Sequence, residues 1–112
     1  MIRIGEFHAR GEVYTGRFVT LGIDAALTIV PAAHSDTKNA PDYRVHAGED
    51  ADGPEIGAGW KRTGERAGPY VAITIDDPFL ARPVRANLFR PAVEGEAHLL
   101  FWQRSQRRGQ AE

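Results

Sequence analysis

Cysteine is absent from the 112 residues. That excludes a disulfide framework, a thiolate zinc site and a cysteine nucleophile. Net charge is nearly absent as well: 14 Lys and Arg stand against 15 Asp and Glu, for a formal −1 at pH 7. Such a chain has no long-range field to draw in DNA or an anionic membrane, so a nucleic-acid site would have to be a local patch. Long apolar runs are lacking too, and the longest falls well short of a bilayer. The opening MIRIGEFHARGE carries no continuous apolar segment of the secretory kind. A cytoplasmic protein without a membrane association is the expectation. Helical periodicity is the last absence, with room at most for a single turn around 77–82 or 32–38.

What remains is alternation. Hydrophobic residues make up 42% and charged residues 26%, ordinary for a globular domain and enough to bury a modest core. Apolar and polar residues alternate with the period of strands over IRIGEF (2–7), EVYTGRFVTL (12–21), AALTIVPA (25–32) and YRVHAG (43–48). The same holds for EIGAGWKRT (55–63), YVAITID (70–76), VRANLF (84–89) and AHLLFWQR (97–104). Turn-forming stretches separate them: HARG, SDTKNAPD, EDADGP, GERAG and DPFLARP. About eight short strands at roughly ten-residue spacing predict an all-β fold, mostly antiparallel, closing into a small sandwich or a partly open barrel. One domain is expected over residues 1–104, followed by a disordered polar tail at 105–112. The predicted core is Ile4, Phe18, Leu27, Ile29, Val45, Trp60, Ile73, Ile75, Leu88, Leu99 and Phe101.

Few motifs offer chemistry. Asp76 and Asp77 are adjacent carboxylates, but neighbours on a strand point to opposite faces, and DDP suits a strand end. EDADG at 49–53 lacks the ligand spacing and the acid at the twelfth position that a calcium loop requires. His8, His34, His46 and His98 fall in separate segments with no metal-ligand spacing among them. Ser35 and Ser105 sit in loop and tail, outside any nucleophile elbow. GAGW is followed by neither a Walker Lys-Ser/Thr pair nor a helix, so its glycines read as a bend or a close approach. No cofactor, metal site or catalytic set is expected.

One constellation stands out. Arg44, His46, Lys61, Thr63, Arg85 and Asn87 each occupy the polar face of a predicted strand, and Tyr43, Tyr70 or Phe89 can border them. Side by side they form a basic, aromatic-edged sheet face. Cations beside rings suit single-stranded nucleic acid, through phosphate attraction and base stacking. The same residues also describe the solvated outer face of any β domain.

IGEF at 4–7, YTG at 14–16, APDYRV at 40–45, EIGAGWK at 55–61 and YVAITIDDP at 70–78 resemble, in order and spacing, the small bacterial proteins grouped as domain of unknown function 736. The resemblance covers nearly all of residues 1–104. It departs in a longer, more acidic turn at 49–54 and in an Arg-rich tail. It implies no activity and no catalytic residues. It does imply a setting, since members are typical of Alphaproteobacteria and are often carried on plasmids and integrative conjugative elements.

Two functional readings follow. The first is a non-enzymatic interaction module that docks on a protein of the transfer machinery or of a host defence complex, as accessory or inhibitor. The second is a nucleic-acid-binding accessory domain using Arg44, Lys61 and Arg85, helped by Arg104, Arg107 and Arg108 of the tail, with only weak DNA or RNA binding expected under the first reading. A homodimer through an exposed sheet edge is a further expectation.

Overall fold

The structure is a computed structural model that describes residues 2–66 and 68–102. The alternation resolves into eight strands: β1 (Ile2–Arg10), β2 (Val13–Val19), β3 (Asp24–Pro31), β4 (Tyr43–Ala47), β5 (Glu55–Gly64), β6 (Gly68–Ile75), β7 (Val84–Phe89) and β8 (His98–Trp102). Among the described residues there is no helix, and so none long and apolar enough to cross a membrane. Each strand pairs antiparallel with the next, and β1 also pairs antiparallel with β8. The sheet is therefore a closed, up-and-down barrel in chain order. The expected all-β, antiparallel fold is present, and of the two forms predicted the barrel is realised, fully closed. Closure pairs every described strand on both sides, so the free edge foreseen for a homodimer does not exist here. The expected tail at 105–112 lies outside the described residues.

Turn chemistry sets the strand ends. The first connection is shorter than the predicted HARG: β1 continues through Arg10, and Arg10 pairs with Val13 across Gly11 and Glu12. Gly11 has φ +67°, the conformation that a two-residue hairpin requires at its first central position when glycine stands there. At the other end of β6, the DDP stretch behaves as a turn. The Asp77 carboxylate accepts from the Phe79 amide at 2.9 Å, and the Asp77 carbonyl accepts from the Leu80 amide.

Alternate residues fill the interior. Phe7, Leu27, Ile29, Val45, Ile73, Ile75, Leu88 and Leu100 are all but sealed from water. Eight strands leave space for side chains but no lumen, so bulky residues on some strands must face small ones on others. Gly59 is buried opposite Ile73, and a Cβ built there would lie 2.9 Å from Ile73 Cδ1 and 3.0 Å from Val71 Cγ1. Three predicted core residues are therefore displaced. Trp60 follows Gly59 and points outward, half-buried. Leu99 and Phe101 are likewise half-buried on the outer face, because Leu100 takes the inward position on β8.

The two ends differ. At one end lie the connections 20–23, 48–54 and 76–83, and there Ile23, Ile56, Leu80, Val84 and Trp102 pack against the core as an apolar seal. At the other end lie the Gly11–Glu12 hairpin and the connections 32–42 and 90–97. That end is the mouth.

Candidate functional site

The mouth is built by continuing the inward rows one step past the core. On β2 the inward sequence runs Phe18, Gly16, Tyr14; on β4 it runs Val45, Tyr43. On β5 it runs Gly57, Gly59, Lys61, Thr63, and on β8 it runs Leu100, His98. Arg90 follows Leu88 by two residues at the end of β7. The outermost of them, Tyr14, Tyr43, Lys61, Thr63, His98 and Arg90, surround a cavity of about 290 Å³ with Val71 and Leu88 at its floor. Arg62 and Tyr70 complete its rim.

Within the mouth the rings are mutually fixed. Tyr14 meets Tyr43 edge-on at 6.0 Å between centroids and His98 edge-on at 5.0 Å. The Lys61 ammonium lies 5.8 Å from the centre of the Tyr43 ring, within cation–π range. Burial pushes the Tyr14 phenol above its ordinary pKa; the Tyr43 phenol adds to this, while Lys61 and Arg90 oppose it. Burial holds the His98 imidazole below its ordinary value, and the Arg90 guanidinium, with His8 nearby, lowers it further. Among the described residues, no acidic one lines the cavity. Neither Lys61 nor Arg90 has a carboxylate partner among the described residues.

A second surface lies on the outer wall of β6, β7 and β8. Tyr70 and Phe89 are cross-strand partners with centroids 5.4 Å apart, and Phe89 reaches Phe101 at 6.0 Å. Leu99 sits opposite Phe89. All four are half-buried. Arg62 pairs across from Tyr70, and Arg85 lies two residues before Asn87, which faces Phe101. Trp60 flanks this wall under a strap formed by residues 32–42. Its indole nitrogen donates to the Asn39 carbonyl at 2.9 Å. The Lys61 amide donates to the Asp42 carboxylate at 2.8 Å, tying the strap's far end to β5. Tyr70 belongs to both surfaces, at the rim of the mouth and in the aromatic row.

The predicted basic face is thus divided. Tyr43 is buried in the barrel and Lys61 and Thr63 follow it inward, rather than lying on the outer sheet face. Arg44 does face outward, but its guanidinium is held by Glu55 at 2.7 Å. His46 Nδ1 donates to the Gly53 carbonyl at 2.9 Å, closing the 48–54 turn. Tyr70, Arg85, Asn87 and Phe89 share the outer wall. Sequence reading missed Tyr14, Arg90, His98 and Phe101. The parity signal was present, since Tyr14 is spaced by two from Gly16 and Phe18, and His98 by two from Leu100.

Fold and surfaces together define a small closed β-barrel with one apolar seal, one cationic aromatic mouth and one aromatic outer wall. Within that class the chain belongs to the family described as Protein of unknown function (DUF736), whose profile covers residues 3–105. No curated protein and no solved structure matches it.

Proposed function

We propose that the chain is a non-enzymatic interaction module that docks an acidic protein surface on its outer wall. The observation that carries this reading is the contacting row Tyr70, Phe89 and Phe101, rimmed by Arg62 and Arg85 without carboxylate partners among the described residues. Aromatic anchors surrounded by arginine are the composition of interface centres, and the unpaired arginines ask for acids on the partner. A partner in the DNA-transfer machinery or a host defence complex fits the mobile-element setting that the family implies, with this chain as accessory or inhibitor.

Nucleic acid is the weaker alternative. The rings are tilted against one another at 37° and 53° rather than set as parallel platforms for successive bases. The wall offers only Arg62 and Arg85 to phosphates, so counterion release contributes little. The test is capture of partners from the native host by the wild type, with Phe89→Ser and Arg44→Ala beside it. Phe89→Ser is expected to weaken the captured complex about 30-fold or more, the loss of an anchor worth ~2 kcal/mol, while Arg44→Ala leaves it intact. Sub-micromolar DNA binding at about 150 mM salt, abolished by Arg62→Ala/Arg85→Ala, would instead establish the nucleic-acid reading.

A further inference from the structure

We propose that the barrel mouth is a binding site for a small organic anion, a single phosphate or carboxylate group joined to an aromatic or aliphatic body. This does not rest on the outer-wall reading. The mouth has the two parts such a ligand needs. Its floor, Val71 and Leu88, and its tyrosine walls present apolar area. Its rim presents Lys61, Arg62 and Arg90, three cations whose charge no described carboxylate answers. A cavity of about 290 Å³ stands at the lower edge of the range for small-molecule sites.

The absence of acid is the discriminating feature. Three ion pairs of Arg with a carboxylate occur elsewhere on the described surface: Arg3–Glu6, Arg17–Asp24 and Arg44–Glu55. Most described Lys and Arg residues have no carboxylate partner, so what marks the mouth is that Lys61, Arg62 and Arg90 gather around one cavity whose described lining holds no acid. Cation–π contact with Tyr43 and edge contact between Tyr14 and His98 hold the lining in place before any ligand arrives. Such preorganisation lowers the ordering cost of binding. His98 adds a donor that is easily switched on. It stands among Tyr14 of β2, His8 of β1 and Arg90; burial first and the Arg90 charge second disfavour its protonation, and a bound anion beside it opposes both.

The experiment is a calorimetric titration of the full chain with phenyl phosphate. Inorganic phosphate and phenol serve as the charged and the apolar half alone. Saturable binding is expected, about tenfold or more tighter for phenyl phosphate than for either half. Lys61→Ala and Arg90→Ala are each expected to weaken it about tenfold, the loss of one charge-assisted contact, and Lys61→Arg to retain it. Both side chains are exposed, so the variants should fold, which melting curves check. The His98 imidazole, followed by NMR, should titrate at higher pH when the ligand is bound. Arg85→Ala, on the outer wall at the far end of β7 from the mouth, should leave all of this unchanged, which separates the mouth from the outer wall. Absence of saturable binding at millimolar ligand would overturn the proposal. So would binding indifferent to both Lys61→Ala and Arg90→Ala.

Discussion

His98 gains contact with Tyr14 and loses water, and the Arg90 guanidinium beside it repels a proton. The unfolded chain therefore binds that proton more readily than the barrel does. The stability this difference contributes is present above the imidazole's unfolded pKa of about 6.5 and is lost as pH falls below it toward the lower folded value. Melting temperature should drop on acidification from about pH 7 to pH 5, and His98→Gln should flatten that slope; an unchanged slope in the variant would mean that His98 is not held neutral. Other residues show how far single positions were legible. On β5 the alternation separates Ile56, Ala58 and Trp60 from Gly57, Gly59, Lys61 and Thr63, and these are two true faces. Which faces inward was read in reverse. Bulk normally signals the interior. Here the interior is already filled by Ile73, Val71 and Tyr43, so β5 must offer glycine there, and its tryptophan goes outside.

Strands behave more uniformly than their residues. β6 sends Val71, Ile73 and Ile75 inward, each at most 8% exposed, and the two-residue period stated this directly. Ile73→Ala should cost roughly 2–5 kcal/mol in denaturant unfolding, the range for an aliphatic side chain removed from a close-packed interior. A loss below about 0.5 kcal/mol would place that side chain on the wrong face. Phe101→Ala on β8 should cost distinctly less, because one side of that ring meets solvent. β8 carries the weakest phase signal of the eight strands. HLLFW is apolar on both faces, so alternation carries no phase information. The reason lies outside the strand: its outer face, Leu99 and Phe101, continues the aromatic wall begun by Tyr70 and Phe89. A strand serving a core and an exposed patch at once looks, in sequence, like one buried twice.

Closure is the property of the whole molecule that no local pattern announces. Hairpins follow from turn residues between neighbouring strands, but the pairing of β1 with β8 joins residues almost the full chain apart. It depends on accumulated twist and on strand number rather than on any motif. The same pairing fixes how the molecule responds to force. Ile2 pairs with Trp102, then Arg3 with Phe101, then Gly5 with Leu100, so both ends of the barrel's chain leave from the sealed pole, side by side. Antiparallel ladder bonds run across the strands. Tension applied through the two termini therefore loads the first pair alone, then the next, as a zip opens. Handles at Ile2→Cys and Ala97→Cys would instead pull along β1 and β8 in opposite senses and load the whole ladder together, and the cysteine-free chain accepts such handles without competing thiols. In single-molecule pulling the terminal geometry should yield at clearly lower force than the second, and equal forces would show that the β1–β8 seam is not where the barrel gives way. The barrel is thus closed to other strands at its edges and weak toward any machine that grips it by its ends.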